Sequence, residues 1–212
     1  TNVGDEGGYA PDLSSNEEAL SVIVKSIETA GYIPGKNIFI ALDIAASSFY
    51  NSETDTYNID NTNKTREELL NYYIELLQKY PIISIEDPFD EDDYLGFKMI
   101  TDSLGKKISI VGDDLFVTNK NLLKKGIEEG LCNAILIKPN QVGSFYETLE
   151  TIVLAKQNKY TCIMSHRSGE TTDTFISDLA VALNIPFMKS GSTSRGERLS
   201  KYNRLLEIEE EL

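Results

Sequence analysis

Residues 134–138 have the sequence AILIK, in which four apolar residues typical of a buried strand are followed directly by a lysine. A short apolar run that ends on an ionisable side chain occurs six times in the chain. The six ionisable residues are Asp43, Glu86, Asp113, Lys138, His166 and Lys189. In a parallel α/β barrel all strands point their carboxyl ends toward one face, so we expect these side chains to converge on one pocket.

The spacing of the apolar runs predicts parallel strands. Beyond an initial run at 37–43, they begin near residues 82, 108, 134, 161 and 186, about 26 residues apart, which leaves room for one helix between strands. A hairpin is predicted within 48–60, and the acidic residues 90–93 are expected to precede a helix. Further helix start signals stand at Ser15, Thr65 with Glu68, Asn119, Ser144 with Glu147, and Ser194 with Glu197.

This pattern predicts an α/β fold with six βα units, two fewer than a closed (β/α)8 barrel needs. Either the remaining strands belong to an upstream segment, or the sheet is open and doubly wound. We favour a partial TIM-type barrel, because an open sheet would leave two unpaired edges beside apolar faces. Residues 1–212 show no linker and are interpreted as one domain.

Composition narrows the possible partners. The chain has 212 residues and a formal net charge of -14, which disfavours nucleic acids and anionic membrane surfaces as ligands. A membrane-spanning helix needs about 18 consecutive apolar residues, and no such run occurs, so no membrane insertion is expected. Cys132 and Cys162 lie in apolar surroundings and are interpreted as reduced core residues in a reducing compartment. Because the chain opens on Thr1, it is interpreted as the back portion of a longer protein.

Three of the strand-end residues are acids. If Asp43, Glu86 and Asp113 meet at one pocket, a cation must compensate their charge, and a set of oxygen ligands without His or Cys favours Mg2+. Each acid taken alone could instead be an ordinary strand-end or N-cap carboxylate.

Two strand-end residues are lysines. Partial desolvation and neighbouring cations would lower the pKa of Lys138 and Lys189 and suit either of them to general-base chemistry. The alternative is a lysine whose charged end extends to solvent.

The segment SHRSGE, residues 165–170, places a histidine, an arginine and a serine after a strand. Arg167 and Ser168 suit a phosphate or carboxylate, and the N-terminus of a following helix would add to this preference. Arg167 could instead form a structural salt bridge, and His166 could be a hydrogen-bonded core residue. Beside two lysines and a metal cluster, we favour an anion site.

Seven longer motifs carry a family resemblance. They are TNVGDEGGYAPDL, ALDIAASSFY, SIEDPFDEDD, VGDDLFVTN, ILIKPNQVGS, SHRSGETTDTFISDLAVAL and SRGERLSKYNRLLEIEEEL. In this order they resemble the back half of the enolase (phosphopyruvate hydratase) family. The resemblance implies the C-terminal catalytic barrel of that superfamily, with an N-terminal α+β domain and the first barrel strands lying in family segments outside this chain.

The resemblance also implies roles for individual residues. Asp43, Glu86 and Asp113 would hold Mg2+, Lys138 would remove the C2 proton of 2-phosphoglycerate, and Glu6 would assist departure of the C3 hydroxyl. Arg167 and Ser168 would bind the phosphate and Lys189 the substrate carboxylate, with His166 beside them.

The implied function is a Mg2+-dependent lyase that interconverts 2-phosphoglycerate with phosphoenolpyruvate and water in glycolysis and gluconeogenesis. A cytoplasmic homo-oligomer, commonly a homodimer, is implied, with cell-surface display as a secondary location. The 212-residue chain alone is expected to be weakly active or inactive, since other substrate-contacting segments of the family are not part of it. The alternatives are a superfamily member acting on another carboxylate, and a non-catalytic surface-binding or scaffold role.

Overall fold

The computed structural model describes residues 2–212, and Thr1, the first residue of the predicted domain, lies outside the described residues. The strands are β1 Asn2–Val3, β2 Tyr9–Ala10, β3 Ile40–Asp43, β4 Tyr50–Asn51, β5 Thr56–Ile59, β6 Thr62–Lys64, β7 Ile82–Glu86, β8 Ser109–Gly112, β9 Ala134–Ile137, β10 Thr161–Ser165 and β11 Phe187–Lys189. The α-helices are α1 Asn16–Thr29, α2 Arg66–Lys79, α3 Tyr94–Leu104, α4 Lys120–Glu129, α5 Pro139–Val142, α6 Phe145–Gln157, α7 Phe175–Ala182 and α8 Gly196–Glu211. A 3-10 turn covers Ala46–Phe49.

The chain forms two compact units. Unit 1 comprises residues 2–12, 116–123 and 134–212, and unit 2 comprises residues 13–115 and 124–133. In unit 1, β9, β10 and β11 pair in parallel with β10 in the middle, and β1 and β2 form an antiparallel hairpin. All four residues of β9 are fully buried, which explains its unbroken apolar sequence.

Unit 2 contains a parallel group of three strands, with β7 between β3 and β8, and a separate antiparallel group β4–β5–β6. Its core includes a cluster of edge-to-face aromatic rings. The rings belong to Tyr57, Tyr73, Phe89 and Phe97, each of which is fully buried.

The predicted alternation of strands and helices is confirmed within each unit, because a helix follows every parallel strand before the next one begins. Several start signals are also confirmed. Thr65 and Glu68 form a reciprocal capping box, the Ser144 hydroxyl accepts from the Glu147 N–H, and Asp93 caps α3. The hairpin predicted within 48–60 is present and gains a third strand, β6.

The prediction of a buried strand over 37–43 is wrong in its extent and burial. The strand begins at Ile40, and Ile38 and Phe39 are exposed. Within unit 2, β3 lies at the end of its three-strand group and pairs only with β7, so its apolar residues are covered less completely than those of a central strand.

The predicted cap at Ser194 is also wrong. Helix α8 begins at Gly196 after Arg195, and the Ser194 hydroxyl donates to the Gly7 carbonyl at 2.5 Å. A tertiary hydrogen bond to the β1–β2 hairpin has replaced the local one that the capping pattern predicted.

Both cysteines are free and buried, as predicted. Burial raises the pKa of Cys162 to about 11 and that of Cys132 well above its usual range. At about pH 8, the thiolate fraction of Cys162 is then about 100-fold below that of an ordinary thiol, so we expect slow alkylation in the native protein. Peptide mapping after iodoacetamide treatment measures this. Equal labelling of both cysteines in native and denatured protein would contradict the assignment.

Candidate active site

The three carboxylates predicted to bind metal all belong to unit 2. Asp43 lies opposite Glu86 in parallel register, which places the two on strands about 4.8 Å apart. Glu86 lies opposite Val111, and Asp113 follows two residues later, just beyond the end of β8. The structure therefore brings Asp43 and Glu86 side by side at the carboxyl end of the group, with Asp113 following the next strand.

A fourth acid, Asp87, organises the turn that carries Asp113. Its carboxylate accepts the N–H groups of Asp113 at 2.9 Å and Asp114 at 2.8 Å. Burial raises the pKa of Asp87 to about 7, although these two hydrogen bonds oppose the rise. Oxygen atoms of Asp87, Asp113 and Asp114 lie within 4.8 Å of one another, and this group shares only Asp113 with the predicted set.

The predicted donor set fits the chemistry of Mg2+. Glu86 and Asp113 are 6% and 7% exposed, and burial of carboxylates is costly unless cations or hydrogen bonds compensate their charge. All three predicted ligands offer only oxygen, which a hard divalent cation prefers. The assignment of Asp43, Glu86 and Asp113 as ligands stays a prediction.

The other predicted residues belong to unit 1, where the two lysines share one row of the sheet. Lys189 lies opposite Ser165, and Lys138 comes one residue after Ile137, which lies opposite Met164. With β10 between them, the lysine Cα atoms are about 10 Å apart, and residues in the same parallel row project to the same face. A substrate with two anionic groups could contact both side chains.

The main chain of Lys138 is fixed by a buried threonine. The Lys138 N–H donates to Thr118 Oγ1 at 2.9 Å, and that hydroxyl donates to Gln141 Oε1 at 2.6 Å. Thr118 has no exposed surface. Pro139 begins the short helix α5, so Lys138 adopts the extended backbone usual before proline.

Glu6 lies at the tip of the β1–β2 hairpin and contacts residues of the segment after β10. Its Oε2 is 3.2 Å from His166 Nε2, and its Oε1 accepts from the Ser168 hydroxyl at 3.3 Å. Its main-chain carbonyl accepts from the Ser192 N–H at 2.8 Å. The hairpin is thereby held against the loop that follows β11, which places an acid beside His166.

Gly191 permits this close approach. Its φ is +71°, and a Cβ atom there would lie 2.5 Å from the Glu6 carbonyl oxygen. We therefore expect Gly191→Ala to lower the free energy of unfolding by about 1–3 kcal/mol and to displace Glu6. Urea denaturation measures the first effect. Gly143→Ala is the control, because Gly143 has a φ of +80° with open space around it, and an equal cost at both positions would contradict a role for the Glu6 contact.

His166 is the centre of the unit 1 contacts and is 2% exposed. Its Nδ1 lies 2.5 Å from Nη1 of Arg198, a fully buried residue of α8. Burial and the positive charges of Arg198 and Lys189 lower the pKa of His166, and the carboxylates of Glu6 and Glu170 oppose this. His166 is therefore held neutral at a lower pH than an exposed histidine would be.

The remaining anion-site residues lie in the same loop. Arg167 Nη1 donates to Asn140 Oδ1 at 2.9 Å, and the main-chain N–H of Arg167 donates to Glu170 Oε2 at 3.3 Å. Ser168 is exposed. Helix α7 follows from Phe175, so a contribution of its N-terminus to the anion site stays a prediction. The loop continues past Ser168 before the helix starts.

Sequence reasoning missed the structural roles of Asp87 in unit 2 and of Thr118, Arg198 and Lys201 in unit 1. The only signal for the last two is a pair of cations three residues apart in SRGERLSK, a spacing equally usual on exposed helices. The structure unites Glu6, His166 and Ser168 by contact and Lys138 with Lys189 by register. That all six strand-end residues converge on one pocket stays a prediction.

Comparison with known proteins shows the family to which the chain belongs and its type of fold. A family model described as "Enolase, C-terminal TIM barrel domain" matches residues 1–212. The chain belongs to the enolase family. This match and the alternating parallel strands confirm the predicted α/β class and TIM-barrel type.

Two curated enolases show how close the similarity is. The enolase of Sulfurimonas denitrificans is 55% identical over 212 residues, and that of Wolinella succinogenes is 55% identical over 214 residues. Each alignment covers 100% of this chain and 50% of the relative. The chain therefore spans about half the length of the curated enolases it matches.

Proposed function

We propose that the full-length protein containing this chain is an enolase, a Mg2+-dependent lyase that interconverts 2-phosphoglycerate with phosphoenolpyruvate and water. The contacts of Glu6 with His166 and Ser168 carry the proposal, because a carboxyl group that meets Ser168 supports a site in which an acid lies beside a phosphate ligand. Family membership and 55% identity over the whole chain support it.

Five residues of unit 1 have a chemical task in this proposal. Lys138 removes the C2 proton, Glu6 donates a proton to the departing C3 hydroxyl, and Lys189 binds the substrate carboxylate. Arg167 and Ser168 bind the phosphate. Loss of a proton beside a carboxylate creates a dianion, so cations must be in place before the proton moves.

The positively charged side chains of this site also explain how an acidic chain can bind an anionic substrate. The chain carries a net charge of -14, which on average repels a phosphorylated carboxylate. Lys138, Lys189 and Arg167 concentrate positive charge on the side of unit 1 where the proposal places the substrate. Asp43, Glu86 and Asp113 would hold Mg2+, which when bound supplies further positive charge to stabilise the anionic transition state.

Partners and location form part of the same proposal. We expect a cytoplasmic homodimer that acts in glycolysis and gluconeogenesis, with surface display as a secondary location. Among the helices of residues 2–212, none is both long and apolar enough to cross a membrane.

The test is an assay of the full-length protein with 2-phosphoglycerate, with a chelator added and Mg2+ then restored. We expect phosphoenolpyruvate to form, its formation to stop on chelation, and activity to return with Mg2+. Turnover that persists after complete chelation would contradict the metal assignment. Failure to turn over 2-phosphoglycerate, with turnover of another hydroxy acid, would overturn the substrate assignment.

A further inference from the structure

Arg198 is a fully buried arginine whose guanidinium contacts the segments that carry the proposed acid and phosphate ligands. Its Nη1 donates to the Arg167 carbonyl at 2.7 Å and approaches His166 Nδ1 at 2.5 Å. Its Nη2 donates to the carbonyls of Ser168 at 2.8 Å and Asp5 at 3.0 Å. One side chain of α8 therefore holds both the β1–β2 hairpin and the segment 166–168.

The contact with His166 has only one consistent proton arrangement. A guanidinium has donors and no acceptor, so His166 Nδ1 must accept and cannot carry a hydrogen. A neutral imidazole with no hydrogen on Nδ1 carries it on Nε2. We infer that Arg198 is a positioning residue that holds His166 as the neutral Nε2–H tautomer, able to donate but not to accept toward Glu6.

The surroundings of the ring support a neutral form. His166 is 2% exposed. Of the charged groups that face it, Arg198 and Lys189 favour the neutral ring, whereas Glu6 and Glu170 favour the protonated ring. Protonation at Nδ1 would set an N–H against the donors of Arg198 at 2.5 Å. The geometry therefore opposes the imidazolium even though Glu6 favours it.

The tautomer has a consequence for Glu6 that rests on the proposed function. Glu6 Oε2 is 3.2 Å from His166 Nε2, although the two atoms form no hydrogen bond in this structure. An N–H at Nε2 electrostatically favours the unprotonated form of the oxygen that it approaches. A proton that Glu6 carries as the acid is then favoured on Oε1, the oxygen near the Ser168 hydroxyl at 3.3 Å. Arg198 thus influences, through His166, which oxygen of Glu6 holds the proton, without touching substrate.

Lys201 provides a matched control on the same helix. It is as buried as Arg198, and its Nζ donates to the carbonyls of Thr171 and Glu197 and lies 3.6 Å from Glu170 Oε1. Its removal deletes a buried cation that anchors the same loop but leaves the Arg198–His166 contact in place. Effects of losing a buried charge can therefore be separated from effects on the tautomer.

The experiment is NMR of the full-length protein labelled with 15N in the histidine rings. The His166 signals are identified by their disappearance in His166→Gln. We expect wild-type Nδ1 to have the chemical shift of an unprotonated ring nitrogen and Nε2 that of a protonated one at neutral pH. Arg198→Met is expected to give a mixture of tautomers and a titration midpoint at higher pH. Lys201→Met is expected to keep the wild-type tautomer.

A proton on Nδ1 of the wild-type protein at neutral pH would overturn the inference, and this measurement needs no folded variant. An unchanged tautomer and midpoint in folded Arg198→Met would also overturn it. Arg198→Lys, which keeps a donor and a charge, is expected to retain the Nε2–H form. The readout does not depend on turnover: an inactive protein with the Nε2–H tautomer would refute the proposed function alone, and an active one with Nδ1–H would refute the inference alone.

Discussion

Replacing Lys138 by alanine in the full-length protein is expected to lower kcat for 2-phosphoglycerate about 10²- to 10⁴-fold, the usual contribution of a general base. Lys138 follows the fully buried strand β9, and Thr118 fixes its main chain. Without the amine, no other residue that we assign to this chemistry can remove the C2 proton. Steady-state kinetics measures the loss, and exchange of the C2 hydrogen with deuterated solvent is expected to be lost with it.

The matched control for this prediction is Lys159→Ala. Lys159 is exposed and precedes β10, so it lies at the opposite end of the strand group from the carboxyl ends. Loss of one positive charge there is expected to leave kcat within about twofold, because solvent screens exposed charges. Near-normal turnover of Lys138→Ala would remove Lys138 from the role of base.

Replacing Glu6 by glutamine is expected to lower kcat by a similar factor, about 10²- to 10⁴-fold, for a different reason. Glutamine keeps the size of the side chain and can still lie beside His166 Nε2, but it has no acidic proton to give to the departing hydroxyl. Removal of the C2 proton does not require that proton. We therefore expect C2 exchange with solvent to persist in Glu6→Gln while phosphoenolpyruvate formation is lost.

This difference in exchange separates the acid from the base. If Glu6→Gln loses C2 exchange together with turnover, Glu6 acts before the hydroxyl leaves, and its assignment as the acid is wrong. Asp12→Asn is the control, since Asp12 is an exposed acid in the same N-terminal segment, after β2. It is expected to keep near-normal kcat.

Features that depend on neighbours in sequence were predicted well. The helix starts predicted at Thr65 and Ser144 are confirmed because their capping hydrogen bonds join residues three apart, whatever the rest of the chain does. Strand β9 is confirmed because four consecutive apolar residues have few alternatives to burial. Errors arose where a distant partner intervened, as at Ser194, whose hydroxyl bonds to Gly7.

In the candidate site, too, locally determined features were predictable and those set by distant partners were not. The lysines at strand ends could be predicted from AILIK and from the apolar residues before Lys189. Parallel register then places the two lysines in one row. The burial of Arg198 could not be predicted from the sequence, because its hydrogen-bond acceptors come from Asp5 and from residues 166–168, far from it along the chain. A cation at that spacing on an isolated helix is indistinguishable from a solvated one.

The sequence by itself determined which ionisable residues end the strands, where most helices begin, and to which family the chain is similar. The physical reason is that apolar periodicity, caps and register act over a few residues or one strand spacing. Only the tertiary structure decided that Glu6 meets His166 and that Arg198 faces His166 Nδ1. The first contact joins distant parts of the chain and the second joins residues 32 apart. A buried donor finds its acceptors only after the backbone has been folded around it.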